Sequence, residues 1–286
     1  MTDDAGRPSL RVGFIGLGSQ GAPMARRIVD AGYPLALWAR RSVSVSPFAD
    51  TPAVVVATPA EVGAASDLVG VCVVDDAGVE SVVLGDDGVL AGMAPGGIIA
   101  IHSTVHPATC QRLASVAGSQ GISVVDAPVS GGGGAAAERR LLVMVGGDDA
   151  AVARCRPVFA TFGDPIVALG GVGSGQVAKL VNNLVFTAQI AVALDTLAVA
   201  DRLEVDRAAL AEVLAHGSGG SRTMAIFAAM GFDTAGVEHA APLLRKDVGL
   251  VLDLLAATPE VPPSPLTTLA ETALTTLETG PADPTP

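Results

Sequence analysis

A lysine and an amide stand four residues apart inside an otherwise apolar stretch of this sequence. The stretch runs from Gly173 to Arg202 and contains Lys179 and Asn183. On a helix, side chains at this spacing project from the same face. A lysine removed from water can donate and accept a proton when its pKa falls, so the pair predicts acid–base chemistry. The alternative is a lysine whose ammonium group reaches solvent, next to an amide that bonds to a loop.

A series of glycines near the N-terminus has the spacing of a dinucleotide-binding turn. The apolar run from Arg11 to Gly16 is followed by Gly18 and Gly21, and then by a segment with helical periodicity. In such a unit, Gly16 would form the tight turn, Gly18 would let a pyrophosphate approach the backbone, and Gly21 would let the helix pack on the strand. The phosphates would lie at the N-terminus of that helix. The segment therefore predicts a dinucleotide cofactor.

The end of the second predicted strand indicates which dinucleotide is bound. That strand, Pro34 to Ala39, is followed by Arg40, Arg41 and Ser42, where an NAD-specific site usually has an acidic residue. Two guanidinium groups and a hydroxyl suit a 2′-phosphate, because it accepts bidentate cationic donors and a carboxylate would repel it. These residues predict NADP and leave NAD open. The alternative is a pair of solvated arginines in a loop.

A third candidate site follows the predicted strand Ile122 to Ala127. Ser130, Gly131 and Gly132 come shortly after it, at the start of a run of four glycines. A turn of this composition exposes several backbone N–H groups around a hydroxyl, which suits a carboxylate. The alternative is a glycine hairpin that joins two strands.

Alternating strand and helix signals run through the first 170 residues and would position these groups. Further strands are predicted at Ala53 to Val56, Leu68 to Val74, Gly97 to His102, Leu141 to Gly147 and Pro165 to Leu169, with helical segments between most of them. This alternation is typical of a parallel sheet covered by helices, in which ligands bind at the carboxyl ends of the strands. His102 and Thr104 follow such an end. His102 could lie near the cofactor, or it could be a surface or core histidine without a catalytic role.

The apolar stretch and the sequence after it predict a second, helical domain. Apolar residues occur on every side of the stretch, which is typical of a buried helix, and its length of roughly 43 Å would let it cross between domains. Polar residues within it argue against a membrane span. We predict an α/β Rossmann domain with a mostly parallel, doubly wound sheet (residues 1–170), then an all-α C-terminal domain (residues 171–286), joined by this long helix.

Composition excludes several other classes of protein. Half of the 286 residues are hydrophobic, 16% are charged, and the formal net charge is −12. This balance fits large cores and argues against nucleic acid or an anionic membrane as a partner. Three widely spaced cysteines indicate reduced thiols, and His216 and His239 lack metal-ligand spacing, so no metal site is predicted. With no apolar leader near the N-terminus, we expect a cytoplasmic protein.

Taken together, five motifs resemble the β-hydroxyacid dehydrogenase family, which includes 3-hydroxyisobutyrate dehydrogenase and tartronate semialdehyde reductase. They are Gly13-Phe-Ile-Gly-Leu-Gly18 with the segment through Met24, Asp126-Ala-Pro-Val-Ser-Gly-Gly132, Met144-Val-Gly-Gly147, Gly173-Ser-Gly175 with Lys179 and Asn182-Asn183, and Lys246-Asp247. The match runs in order over about residues 11 to 278.

The resemblance implies a role for each matching residue. Lys179 matches the catalytic lysine, Asn183 the amide that orients the substrate, and Lys246 a second lysine near substrate and nicotinamide. Ser130, Gly131 and Gly132 match the site for the substrate carboxylate. Cofactor-contacting positions are matched by Gly16, Gly18, Gly21, Arg40 and Thr104. The family also implies a small carboxylate substrate and a homodimer or homotetramer.

Four residues depart from the family's usual pattern, and two other functions stay open. Gln20 stands where methionine is common, His102 where an acid or amide is common, and Arg139-Arg140 where a small Gly-Thr pair is common. If those two arginines faced the cleft, they could select a larger or dianionic substrate; if they faced solvent, they would have no effect on the substrate. An imine reductase resembles this architecture but generally lacks the lysine matched by Lys179. A non-catalytic dinucleotide-binding module would not need the polar side chains of Ser130, Lys179, Asn183 and Lys246.

Overall fold

The first half of the chain forms a six-stranded parallel sheet covered by helices. The structure is a computed structural model and describes residues 10–258 and 264–279. The strands are Val12–Ile15 (β1), Leu35–Trp38 (β2), Val54–Val55 (β3), Leu68–Val71 (β4), Ile98–Ile101 (β5) and Ser123–Asp126 (β6). The helices between them are Gly21–Asp30 (α1), Pro59–Ala64 (α2), Asp76–Leu84 (α3), Val89–Gly92 (α4) and Pro107–Gly118 (α5), with a 3-10 helix at Ser42–Phe48.

The order of the strands is that of a dinucleotide-binding fold. It runs β3-β2-β1-β4-β5-β6, and every neighbouring pair is parallel. Every residue of β1, β4 and β5 is buried, as expected for central strands that helices cover on both faces. The order reverses between β1 and β4, and ligands bind beside such a switch point in open α/β sheets. The predicted fold class is confirmed.

A smaller sheet follows the large one. Its strands are Val129–Ser130 (β7), Leu141–Val145 (β8) and Gly163–Ala168 (β9), in the order β7-β8-β9, with β7 antiparallel and β9 parallel to β8. The helix Gly132–Ala137 (α6) lies between β7 and β8, and Asp149–Phe159 (α7) lies between β8 and β9. The glycine run is therefore not only a turn, because three of its four glycines begin a helix.

The described residues after β9 form helices and the short segments between them. The helices are Ser174–Arg202 (α8), Arg207–His216 (α9), Arg222–Ala229 (α10), Ala235–Ala256 (α11) and Pro265–Thr279 (α12). Apolar residues of α8, α10, α11 and α12 form one buried cluster, which includes Leu184, Phe227 and Leu274. The predicted long helix and the helical C-terminal region are confirmed. The chain divides into two compact units, Met1–Lys179 and Leu180–Pro286, and the division falls within α8.

Helix α8 is long and apolar enough to cross a membrane, judged by length and composition alone. Core helices of water-soluble proteins share both properties, so this observation is weak evidence for a span. In this chain Leu180, Leu184 and Ile190 are buried in the core of the helical unit. Packing inside protein therefore accounts for one side of the helix. Val177, Val181, Val192 and Val199 are exposed, so the expectation that α8 is buried on every side is wrong at these positions.

The three cysteines are reduced thiols inside the α/β unit. Cys110 and Cys155 are buried and Cys72 is partly buried. Burial raises the pKa of the Cys72 and Cys155 thiols to about 12 and raises that of Cys110 further. In residues 10–258 and 264–279, no group of three or more His, Cys, Asp or Glu side chains is arranged to hold a metal ion.

Candidate active site

The glycine turn after β1 has the geometry that its sequence predicts. Gly16 has φ +94°, and a Cβ at this position would lie 2.1 Å from the carbonyl oxygen of Cys72. A Cβ on Gly21, the first residue of α1, would lie 2.0 Å from the carbonyl oxygen of Gly16. A side chain at either position would therefore collide with backbone.

Gly18 differs from the other two glycines because the space beside it is open. Apart from Gly18 and its two chain neighbours, no described residue has a heavy atom within 4 Å of the position that a Cβ on Gly18 would take, and Gly18 is exposed. Neither packing nor backbone conformation requires glycine there. An open backbone surface beside the first turn of α1 fits the close approach of a pyrophosphate, so these residues suit a dinucleotide.

Arg40, Arg41 and Ser42 lie just beyond the carboxyl end of β2, the neighbour of β1. All three are exposed, and Ser42 begins the 3-10 helix. Among the residues that the structure describes, no carboxylate forms an ion pair with either guanidinium group and neutralises its positive charge. Such donors remain available to an external anion.

The Ser130 turn lies against the glycine turn. Ser130 ends β7, and the next two residues, Gly131 and Gly132, have φ values of +133° and +76°, which favour glycine. A Cβ on Gly133 would lie 2.4 Å from the carbonyl oxygen of Ser19, within the glycine turn. This close approach of α6 to the start of α1 places the predicted carboxylate site beside the predicted cofactor site.

His102 belongs to the core. Its ring is 4% exposed, lies edge-on to Phe159 and Phe162, and donates from Nδ1 to the carbonyl oxygen of Ala127 at 2.8 Å. Burial lowers the pKa of the ring to about 4, although the bond to Ala127 opposes the shift. A neutral, fully packed imidazole has a structural role. Of the two roles that the sequence left open, the structure therefore supports the non-catalytic one.

Two buried side chains with no role predicted from the sequence fix the start of α8. Asp126, at the end of β6, accepts hydrogen bonds from the backbone N–H groups of Gly173 (2.6 Å) and Gln176 (2.8 Å). The Gln176 side chain donates to the carbonyl oxygen of Ser103 at 2.8 Å and accepts from the N–H of Val105 at 3.1 Å. Burial raises the pKa of the Asp126 carboxyl, and its backbone donors oppose that shift. These bonds tie α8 to the last residue of β6 and to the segment that follows β5.

Lys179 lies within the second turn of α8 and is partly buried. It follows Gln176 by three residues, so it is displaced by about 4.5 Å along the helix axis. Thr104, which is also partly buried, stands between the two residues that the Gln176 side chain binds. The hydrogen bonds of Gln176 thus connect the helix that bears Lys179 to the backbone on either side of Thr104, a predicted cofactor-contacting residue. All of these residues belong to one unit.

In the helical unit, one buried carboxylate joins two predicted site residues. Asp247, on α11, accepts from Nδ2 of Asn183 at 2.5 Å and lies 2.7 Å from Nζ of Lys246. Asn182 in turn donates to Oδ1 of Asn183 at 3.1 Å. Asp247 is 6% exposed, so its charge is compensated mainly by these neighbours. The sequence placed Asp247 in a motif without giving it a role.

Comparison with known proteins identifies the family. Residues 11–171 match the model described as the NAD binding domain of 6-phosphogluconate dehydrogenase. Residues 173–283 match the model for the NAD-binding region of NADP-dependent 3-hydroxyisobutyrate dehydrogenase. A 3-hydroxyisobutyrate dehydrogenase of Pseudomonas aeruginosa is 32% identical over 253 residues, which are 84% of each chain.

The chain belongs to the β-hydroxyacid dehydrogenase family. Its cofactor is therefore NAD(P), which the glycine turn fits. Among solved structures, the Mycobacterium tuberculosis 3-hydroxyisobutyrate dehydrogenase with L-serine has a TM-score of 0.83 at 28% identity, and covers 96% of this chain and 95% of its own. A structure of Psf3 with NADP+ and 2-OPP has a TM-score of 0.82 at 26% identity, with coverage of 94% and 93%.

The other residues that depart from the family pattern contact neighbours within the α/β unit. Arg139 has φ +60°, and its guanidinium group donates to the carbonyl oxygen of Ala160 just after α7. Arg140 forms an ion pair with Glu138. Both arginines are exposed and bonded within their own unit, so the family's Gly-Thr pair is replaced here by surface contacts. Gln20 lies beside Met24 on α1.

Proposed function

We propose that this β-hydroxyacid dehydrogenase transfers a hydride between NADP(H) and a small 3-hydroxy acid or semialdehyde, with Lys179 as the general acid and base. One observation carries the proposal. The helix that bears Lys179 is hydrogen-bonded, through Gln176 and Asp126, to the carboxyl ends of β5 and β6. The carboxyl edge of this sheet is also where the glycine turn and Arg40 lie.

The cofactor transfers the hydride, and residues of the chain transfer the proton and bind the substrate. When bound, NADPH supplies the hydride for reduction and NADP+ accepts it in oxidation. Lys179, as ammonium, donates a proton to the oxygen of the carbonyl carbon that receives the hydride, and as amine it removes the proton from the alcohol. Ser130, Gly131 and Gly132 bind the substrate carboxylate through the hydroxyl and backbone N–H groups.

We assign the orientation of the substrate to Asn183 and Lys246, because both match the family's motifs. The Asn183 amide and the Lys246 ammonium group share Asp247 as a partner, which fixes both side chains before the substrate arrives. An ordered amide and ammonium reduce the entropy lost when a small anion binds. The names of the relatives point to short hydroxy acids, and this polar set fits a carboxylate better than a neutral imine.

The substrate class is tested with one panel of assays. Purified protein is given short 3-hydroxy acids and NADP+ or NAD+, the corresponding semialdehydes with the reduced cofactors, and cyclic imines with NADPH. We expect turnover of a hydroxy acid and its semialdehyde, and none of the imines. Turnover of imines alone would contradict the proposal, and cofactor binding without turnover of any compound would favour a non-catalytic module.

The role of Lys179 is tested by replacement with alanine. Since the proton donor is lost but the glycine turn is intact, we expect kcat to fall by ~10²–10⁴-fold while the Kd for NADP(H) is almost unchanged. Stopped-flow turnover and fluorescence titration of the cofactor measure the two quantities. A Lys179→Ala enzyme with near-normal kcat would end the assignment.

A further inference from the structure

The side chain of Gln176 connects the lysine-bearing helix to the cofactor edge of the sheet. It is fully buried, and both ends of its amide are bonded to backbone: Nε2 to the carbonyl oxygen of Ser103, and Oε1 to the N–H of Val105. Ser103 and Val105 are the residues before and after Thr104. The Gln176 amide therefore makes the two hydrogen bonds that a peptide group of a neighbouring strand would make in a sheet. The backbone at Thr104 is therefore fixed by a residue of α8.

The other end of the connection is also fixed. The backbone N–H of Gln176 donates to Oδ2 of Asp126, whose Oδ1 accepts from the N–H of Gly173. Because the carboxylate holds two N–H groups at the start of the helix, α8 cannot rotate or slide by a fraction of a turn without breaking these bonds. Lys179 follows within the next turn, so its position depends on the same bonds.

We propose that Gln176 is a positioning residue for Lys179: it sets the place of the proton donor relative to Thr104 and the nicotinamide. The inference rests on the proposed function, since it assigns Gln176 a part in the same proton transfer. Gln176 itself does not touch the reacting atoms. A displacement of about 1 Å at a proton donor is enough to lower turnover by roughly 100-fold.

The decisive experiment is a double-mutant cycle with Gln176→Met and Lys179→Ala. Methionine keeps the volume of the side chain and removes both hydrogen bonds. In the enzyme that retains Lys179, we expect Gln176→Met to lower kcat by about 10- to 100-fold with little change in the Kd for NADP(H). In the Lys179→Ala background, measured by single turnover at high enzyme concentration, the same change should have almost no effect. An equal fold loss in both backgrounds would overturn the proposal.

A second measurement uses the cofactor-free protein and does not depend on activity. Hydrogen–deuterium exchange at the Val105 amide should accelerate in Gln176→Met, because Oε1 of Gln176 is its acceptor. The amides of β1, which Gln176 does not bind, should exchange at the wild-type rate. Unchanged exchange at Val105 would show that the connection does not hold that segment, and would also overturn the proposal.

Two further variants keep the test informative. Gln176→Glu retains an acceptor for Val105 but loses the donor to Ser103, so it should fall between wild type and Gln176→Met in both measurements, and it replaces Gln176→Met if that variant does not fold. Gln111→Met is the matched control, since Gln111 donates at 3.4 Å to the carbonyl oxygen of Val172, just before the helix, and is exposed. It should behave as wild type.

Failure of this proposal differs from failure of the proposed function. A wild-type protein that does not turn over hydroxy acids, or a Lys179→Ala variant with full kcat, removes the proposed function and is seen before any Gln176 variant is made. Normal hydroxy-acid turnover that requires Lys179, together with an equal loss in both backgrounds, removes only the positioning role.

Discussion

At the scale of single residues, the positive charge at the end of β2 favours a cofactor with a 2′-phosphate. Arg40 and Arg41 are exposed, and no carboxylate pairs with either of them in the described part of the chain. A 2′-phosphate adds close to two negative charges, and one bidentate guanidinium contact contributes about 1.5–3 kcal/mol, or roughly ten- to a hundred-fold in affinity. This argument does not depend on the substrate.

We expect wild-type enzyme to prefer NADP(H) and Arg40→Asp to shift the preference toward NAD(H). The substitution removes a donor and adds repulsion, so the ratio of kcat/KM values for the two cofactors should change by at least about tenfold. Steady-state assays with both cofactors measure the ratio. Arg40→Ala, which removes the donor only, should give a smaller change. An unchanged ratio in both variants would make Arg40 a solvated loop residue.

At the scale of an element, two glycines of the glycine turn differ in what requires them. Gly18 and Gly21 belong to one motif, but their surroundings differ. A Cβ on Gly21 would collide with the carbonyl oxygen of Gly16, and one on Gly18 would meet no described atom within 4 Å. We therefore infer that Gly18 serves the cofactor and that Gly21 serves the packing of α1 against the turn after β1.

We therefore expect opposite outcomes from the two alanine substitutions. Gly18→Ala should leave the melting temperature near that of wild type and weaken NADP(H) binding by roughly tenfold or more. Gly21→Ala should lower the free energy of unfolding by about 1–3 kcal/mol, because the backbone must shift to admit a methyl group. Thermal melts of cofactor-free protein and fluorescence titrations distinguish them. Equal destabilisation by both changes would contradict the distinction.

Elements with a strong local signal could be predicted from the sequence, and contacts between distant residues could not. Helix α8 was predicted because 29 residues share one apolar pattern, and the glycine turn because its chemistry is local. Helix α6 was missed because four successive glycines favour a turn. Gln176 and Asp247 received no role because their partners, Ser103 and Asn183, are 73 and 64 residues away in sequence. Only the folded chain brings them together.

At the scale of the whole molecule, His102 couples stability to pH. The ring has a folded-state pKa of about 4, against an ordinary value of 6.5. Between these values the unfolded chain binds a proton that the folded chain does not, so acid favours unfolding. The contribution of His102 to stability is fully present above pH 6.5 and is lost as the pH falls toward 4, with a total of roughly 3 kcal/mol.

We expect His102→Gln to flatten the dependence of the unfolding free energy on pH between 6.5 and 4. Urea unfolding at several pH values, in wild type and variant, measures the slope. The comparison is needed because burial raises the pKa of Asp126, which acts in the opposite sense in both proteins. His216→Gln, at an exposed position, is the control and should keep the wild-type slope. Parallel curves for all three proteins would contradict the assignment.

The buried thiols make the chain a convenient starting point for spectroscopic labelling. With pKa values of about 12, Cys72 and Cys155 hold almost no thiolate at neutral pH, and Cys110 holds less. Maleimide dyes and nitroxide reagents attack the thiolate. A single cysteine introduced on the surface, for example at Ser46, would therefore react far ahead of the native three. Fluorescent or paramagnetic probes could then be attached without first deleting core residues.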